Sequence, residues 1–533
     1  MNKTAKLLLS ALLFTSWAKA GLEYDWILWA VDLVVLVAVV STLGSRSDRG
    51  RHFVLSLTPI LVFALYVFLS FLNPRYDTLT TKEWNEMNAG KYFSEEKNLE
   101  KIAVLSDEFG KINAVREKDP QLALTLFFDL KNRFFDQFGE TDSPCAEFLK
   151  VYEEKIGREH IQFLPSVPLR DSRSIHASVH FLFQLIFGIA TYFSLRTRNE
   201  IRTFVWVVGA NGGLLALVGI IQKIHYVPAD ELKEIFGLWD APEPRYFYSS
   251  FTYKNHWCAF ALLSLFSVLA LLYYQLKNTP IKIIHSKSIL FLSLIIVCLL
   301  ISIPHSGSRS GFAILVLTLV FFIYAFLIRS KKSGRKLNWT TVTPLITLIS
   351  LVIAFSFYLN RDTTKEMLIN TYSQISEASN RQLPMRFLLW NDLVNQIGEE
   401  TLWGYGFNSY PAINPIHQSK EVRERRSIGL DNAHNPYTPL IGRGHNDFLE
   451  FISEFGIPFF MLLIFLPILA TVGIVRNPSP FPKIILVGCM AFLLYFLVDF
   501  PSRSPACLLL FTSTLGFSLK YAKLTHSRTH SKN

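Results

Sequence analysis

Charge is scarce in this chain. Asp, Glu, Lys and Arg make up 18% of its 533 residues while half of all residues are hydrophobic, whereas soluble domains carry about 25% charge. That balance excludes an ordinary soluble domain. Cysteine is scarce too. Of the five, Cys258, Cys298, Cys489 and Cys507 lie in or beside apolar runs and only Cys145 sits in a large polar segment, so neither a disulfide framework nor a zinc framework follows. Asp-x-Asp, His-Glu-x-x-His, P-loop and glycine-rich nucleotide fingerprints are missing, which argues against a sugar-nucleotide donor, zinc proteolysis and ATP use. There is no internal repeat and no low-complexity tract.

What the chain does have is apolar runs. Spans are expected near 26–44, 53–72, 177–195, 203–222, 257–276, 289–305, 311–328, 342–359, 447–475, 484–499 and 506–519, most close to the roughly 20 residues that cross a bilayer. The stretch Leu7 to Ala18 follows Lys3 and Lys6 and ends in Ala18-Lys19-Ala20, which reads either as a cleaved leader or as a twelfth helix. The expected fold class is therefore an all-α polytopic membrane protein with about 12 transmembrane helices, 11 if that segment is removed, and helical extracytoplasmic loops.

Alternate loops are basic. Lys3, Lys6, Arg46, Arg49, Arg51, Arg196, Arg198, Arg202, Lys277, Lys282, Lys287, the cluster Arg329 to Lys336, Arg476, Lys483 and the tail from Lys520 hold 22 of the 53 basic residues, against only Asp48 and Glu200. The positive-inside rule makes these loops cytoplasmic, with the C-terminus among them. The formal charge of +11 then reflects the bilayer, and no nucleic-acid partner is needed to explain it.

The organisation expected is N-terminal transmembrane helices over 1–72, an extracytoplasmic helical insert over 73–176, and transmembrane helices over 177–359 including an external loop at 223–256. A large external loop over 360–445 and C-terminal helices with a cytoplasmic tail over 446–533 complete it. The insert balances 19 acidic against 15 basic residues and has helix-spaced apolar positions such as Phe127, Leu130, Phe134 and Phe138. It lacks a dense cluster of catalytic residue types, so a structural or recognition role is expected. In the late loop, Arg386 and Trp390 would share a helix face, Gly404 and Gly406 mark a turn, and Arg423, Arg425 and Arg426 suit a solvated tip.

The most informative run is Gly444-His445-Asn446-Asp447-Phe448-Leu449-Glu450, followed by Glu454 and Gly456. A helix starting near Asn446 places Asp447, Glu450 and Glu454 on one face, with Glu454 about 12 Å down if that helix starts at the interface. Ionisable groups at a membrane helix mark a functional site. Asn446 or Asp447 also suits a cap, and the stripe could hold a divalent cation. His445 stands outside the helix start, where an imidazole could take a proton from a hydroxyl. Arg309, in the short connection Pro304 to Gly311, could grip a phosphate, although an arginine there also suits snorkelling. Lys254 and Asn255 could add a cation and an amide, and Asp499 lies in a tight turn ending in Pro505.

Together these pieces resemble the O-antigen ligase and O-antigen polymerase superfamily of bacterial envelope glycosyltransferases. The resemblance runs from Phe251 to Ala506 and rests on Tyr253-Lys254-Asn255-His256, Ser308-Arg309-Ser310-Gly311, Arg386 with Trp390, Gly404-Tyr405-Gly406, His445-Asn446-Asp447 with Leu449, Glu454 and Gly456, and Asp499-Phe500-Pro501. It implies an inverting, metal-independent, cofactor-free transfer of a glycan from undecaprenyl diphosphate to an acceptor hydroxyl. That acceptor is lipid A core or another glycan, and the reaction lies at the periplasmic face of a bacterial inner membrane. On that basis His445, Glu454 and Arg309 are the catalytic candidates. Lys254, Asn255, Arg386, Trp390, Trp403, Tyr405, Asn446, Asp447 and Asp499 are the substrate-binding candidates, the aromatic ones by stacking on sugar faces. Arg386, Lys254 and Arg245 are candidates for a second cationic contact.

The same donor serves a polymerase or a protein O-oligosaccharyltransferase. A different class, a transporter or flippase, would draw on Asn211-Gly212-Gly213 as a helix interruption and on Gln184 and Asp32 as intramembrane polarity.

Overall fold

The computed structural model describes residues 1–21, 25–43, 48–79, 81–87, 89–139, 143–225, 234–236, 238–240, 247–278, 287–332, 384–427 and 440–530, with isolated positions between 333 and 383. The expected span 342–359 and Arg245 therefore lie outside the described residues. The protein is an all-α polytopic membrane protein with little sheet. Among the described residues, Asp25–Leu43, His52–Phe71, Ser172–Ser194, Arg198–Ile224, Lys254–Lys277, Lys287–His305 and Asp447–Val475 are long and apolar enough to cross a bilayer. Arg309–Ala325 and Pro480–Phe496 are shorter apolar helices. The expected span 506–519 lies within the helix Pro505–His530, and Lys3–Trp17 is also helical.

The chain divides into two compact units. The first comprises Met1–Ile60, His180–Ser376 and Ile464–Asn533. At its centre lies Lys254–Asn278, packed against Pro480–Phe496, Lys287–His305 and Arg198–Ile224. Its residues from Trp257 to Val268 are all buried, as expected of a helix that is apolar all round. The helix Arg198–Ile224 starts from a capping box of Thr197 and Glu200 and runs unbroken through Asn211-Gly212-Gly213. Its glycines bring backbone close to neighbouring helices: a Cβ on Gly212 would meet Ser264 at 2.8 Å and one on Gly213 would meet Ile295 at 2.9 Å. The interruption expected of a transporter is thus replaced by small-residue helix packing. Asp32 is hydrogen-bonded to His180 at 2.6 Å, so its intramembrane carboxyl group is partnered.

The second unit comprises Leu61–Val179 and Glu377–Leu463. Its cap holds Leu99–Arg116, Pro120–Phe138 and Pro144–Ile156. Each start is written locally: Asn98, Asp119 and Ser143 accept from Glu100, Leu122 and Ala146 N–H, and proline stands at the first helical position of the latter two. Phe109, Phe127, Phe134 and Phe148 fill the interior together with Trp84 and Tyr152. Ring centroids there lie 4.5 to 6.4 Å apart, in the range of favourable aromatic pairs.

One expectation is corrected here. Arg423, Arg425 and Arg426 do not form a solvated tip. The helix Lys420–Ser427 docks on the cap, with Arg426 buried and 2.8 Å from Asp129, and Arg423 paired with Asp136 at 3.0 Å. Partners almost three hundred residues away neutralise what looks locally like a mobile cationic run.

Cys145 reports on this core. Burial, reinforced by Glu96, pushes its thiol up to about 12, so the reactive thiolate is rare at pH 8. The expected result is that native protein in vesicles resists maleimide at Cys145 and denatured protein does not. Phe148→Ala, which costs about 3–5 kcal/mol in a packed core, should speed that labelling, read by peptide mass spectrometry.

Candidate functional site

Two polar constellations emerge, one in each unit. In the second unit, Asn446 caps the helix that begins at Asp447: its side chain accepts from Leu449 N–H at 3.1 Å and its carbonyl from Glu450 N–H at 2.9 Å. His445 immediately precedes it with φ of 51°, a left-handed conformation that non-glycine residues seldom adopt. Glu450 explains how the turn is held. Fully buried, it accepts from Gly444 N–H at 3.0 Å and from Arg443 at 3.0 Å. Arg443 also donates to Asn408 at 2.9 Å. Trp390, from the helix Met385–Glu399, donates its indole N–H to the His445 carbonyl at 3.3 Å. The structure thus brings Trp390, His445, Asn446 and Glu450 to one turn, with Arg386 on the same helix as Trp390.

The helix itself differs from expectation. Gly456 has φ of 68° and ψ of 166°, so the helix is broken two residues after Glu454, and the stretch from Asp447 to Glu454 lies ahead of the break. The loop holding Trp403 and Tyr405 pairs with this break. Tyr405 and Gly406 N–H donate to the Ser453 and Glu454 carbonyls at 3.0 and 2.8 Å, and Ile457 N–H donates to Thr401 at 2.9 Å. The Tyr66 hydroxyl lies 2.5 Å from the Trp403 carbonyl and 3.1 Å from that of Glu454. Approach is so close that a Cβ on Gly404 would fall 2.6 Å from Glu454 backbone, and one on Gly456 would fall 2.2 Å from Leu402 O. Glu454 and Asp447 are fully buried.

Trp403 is half-buried and stacked on Phe459 at 5.6 Å. Tyr405 is buried beneath the Arg75 guanidinium, 4.5 Å from its centroid, while Arg75 pairs with Glu400 at 2.7 Å. Its hydroxyl lies 3.2 Å from His417 Nε2. Burial outweighs Glu399 there and lowers the His417 imidazole below its ordinary value.

In the first unit, Arg309 is exposed at the first position of the helix Arg309–Lys332. Ser308 caps that helix by accepting from Gly311 N–H at 3.0 Å. Its hydroxyl donates to the Asn255 amide oxygen at 2.5 Å and lies 2.9 Å from the Tyr495 hydroxyl. Asn255 in turn donates to Asp499, which is fully buried. Asp499, Asn255, Ser308 and Tyr495 therefore form one chain of hydrogen bonds ending beside Arg309. Lys254 opens the adjacent helix, within electrostatic reach of Lys223.

Sequence reasoning missed Tyr66, Arg75, Arg443, Tyr495 and Lys223. Arg443 was legible as a cation seven residues from Glu450 across a helix start. The break was legible as well, since Gly456 followed by Pro458 is a stop signal.

These features define a class: a polytopic helical membrane protein in which charged and aromatic side chains gather at helix starts. The comparison with known families is more specific. Residues 294–464 match the family model described as O-antigen ligase, so that segment is similar to the O-antigen ligase superfamily. The match covers roughly a third of the chain, narrower than the 251–506 over which the motifs extend. It contains Arg309, Arg386, Trp390, Trp403, Tyr405, His445, Asn446, Asp447 and Glu454, and leaves out Lys254, Asn255 and Asp499. No curated protein matches the chain.

The two glycines of the break give a direct test. Gly456→Ala and Gly404→Ala force a side chain onto backbone at positive φ and should each cost about 3 kcal/mol or more, seen as a lower melting temperature in detergent. Gly398→Ala, on a helix with nothing within 4 Å of the new Cβ, should be neutral or stabilising by up to about 1 kcal/mol.

Proposed function

We propose that this protein is an O-antigen ligase-like glycosyltransferase. It moves a glycan from undecaprenyl diphosphate to an acceptor hydroxyl, with lipid A core the leading acceptor, at the periplasmic face of a bacterial inner membrane and with its C-terminus in the cytoplasm. The observation carrying this reading is that the matched family segment contains His445 in a strained turn pinned by Glu450. Strain held in place by surrounding structure is typical of functional positions.

In this reading the acceptor oxygen attacks the anomeric carbon with inversion while His445 accepts its proton. The bond from carbon to phosphate oxygen breaks, and undecaprenyl diphosphate leaves with the electron pair. Because the leaving group is a stabilised anion, fixed cations matter more than a general acid. Arg309 supplies one, with Lys254 and Arg386 as further contacts, and the reaction needs neither metal nor cofactor. Asp499 and Asn255 orient Ser308 next to Arg309. Glu454, Asp447 and Asn446 order the helix behind His445, and Trp390 and Trp403 border the sugar, with Tyr405 shaping the loop that carries Trp403.

The test is transfer by purified protein given undecaprenyl diphosphate glycan and lipid A core. Transfer should persist in EDTA. It should fall by about 10²–10⁴ in His445→Ala, the scale of a lost general base, and by about 10²–10³ in Arg309→Ala, the scale of lost charge stabilisation. Full activity in both variants would sink the assignment. Longer lipid-linked chains with unmodified core would identify a polymerase, and transfer to a protein hydroxyl an O-oligosaccharyltransferase. Altered sidedness of an unchanged donor would identify a flippase.

A further inference from the structure

The membrane exit of the helix Asp48–Phe71 is tied to a distant, exposed apolar turn. Along its last turns Leu61, Leu65, Phe68 and Leu72 are exposed at spacings of four, three and four, one continuous stripe on one helix face. A stripe of this kind on a helix apolar enough to cross a bilayer faces lipid, and it runs to Leu72. The next residue, Asn73, is buried and grips the segment that follows the cap's last helix. Its amide donates to the Ile161 and Pro165 carbonyls at 2.9 and 3.2 Å, and its oxygen accepts from Ile161 N–H at 2.8 Å. Arg75 and Tyr76 N–H donate to the Val167 and Pro168 carbonyls, both at 2.9 Å.

The gripped segment closes a turn through Leu164 N–H to Ile161 O at 3.1 Å. At its tip Ile161 is 47% exposed and Phe163 76% exposed. From Ile161 to Leu169 no residue is charged. An exposed phenylalanine near an exposed isoleucine is poorly placed in water, yet Ile161 is bonded to Asn73, one residue beyond the lipid-facing stripe, and Phe163 stands in the same turn. Phenylalanine, like Trp and Leu, is among the side chains that interfacial segments bury at the boundary of headgroups and acyl chains.

We propose that the turn Ile161–Leu164 inserts into the headgroup and upper acyl region of the leaflet at which Asp48–Phe71 ends, anchoring the cap to the lipid surface. The occupant of this apolar patch is lipid, because the patch continues the stripe that already faces lipid. The inference is independent of the proposed reaction and of which side of the membrane the leaflet faces.

Spin labels on full-length protein in nanodiscs of phosphatidylcholine and phosphatidylglycerol at a ratio of about 3:1 test it, with background from the native cysteines subtracted using unsubstituted protein. Collision with oxygen, which partitions into lipid, is compared with collision with a water-soluble nickel chelate. Leu65→Cys is the lipid reference, and Leu99→Cys, at the start of a cap helix and 79% exposed, is the water reference. The oxygen-to-nickel ratio at Phe163→Cys should lie several-fold above that at Leu99→Cys and approach that at Leu65→Cys. A ratio equal to that at Leu99→Cys overturns the proposal, since the turn then stands in water. Exclusion of both reagents overturns it as well, since protein then covers the patch. If Phe163→Cys does not fold, the same readout at Gln162→Cys, the exposed neighbour in the turn, decides between these outcomes.

Discussion

The constraint on which the second unit depends is the pairing of two backbones at a broken helix. A helix leaves its last carbonyls without partners, and here those of Ser453 and Glu454 lie inside the protein. Tyr405 and Gly406 supply the missing donors, and Ile457 N–H returns one to Thr401. Each buried group left without a partner costs about 1–3 kcal/mol, so the three bonds stand or fall together. They require chain approach closer than a Cβ allows, which fixes glycine at 404 and 456. The position of Glu454, the course of Trp403 and the role of Tyr66 as a donor inside an apolar helix all follow.

A second dependence is electrostatic. Glu450 is buried, and a buried carboxylate is tolerable only when its oxygens are satisfied. Arg443 and Gly444 satisfy them, and both precede His445 in sequence. The carboxylate therefore folds the chain back over the helix start and sets the left-handed conformation at His445. Charge burial and backbone strain are solved by the same contact.

The membrane architecture was legible because lipid imposes a length and an apolar composition that few other structures share. The cap was expected to be helical from apolar spacing alone, and its starts at Asn98, Asp119-Pro120 and Ser143-Pro144, which that spacing did not locate, are local caps. What escaped was long-range. The buried pair of Arg426 with Asp129 joins residues that no spacing rule connects, and a basic cluster reads as solvated unless its partner is known. Tyr66 looks like one more aromatic in a hydrophobic span, and nothing local says that its hydroxyl reaches the Trp403 carbonyl. The break at Gly456 was readable, but the strong apolar pattern on both sides invited a single helix. The candidate residues were found where several polar types crowd a helix start. Residues that hold them in place, such as Ser308 and Tyr495, were less visible because hydroxyls are common in membrane helices.

The tie between Asp129 and Arg426 also bears on how the molecule can change over time. The insert 73–176 sits between two membrane helices and has the outline of a detachable module. Yet Asp129 and Asp136 complete their charges with Arg426 and Arg423 from a segment encoded far downstream. The heritable unit is therefore discontinuous: recombination between the insert and 420–427 separates the buried Arg426 from Asp129 and the more exposed Arg423 from Asp136.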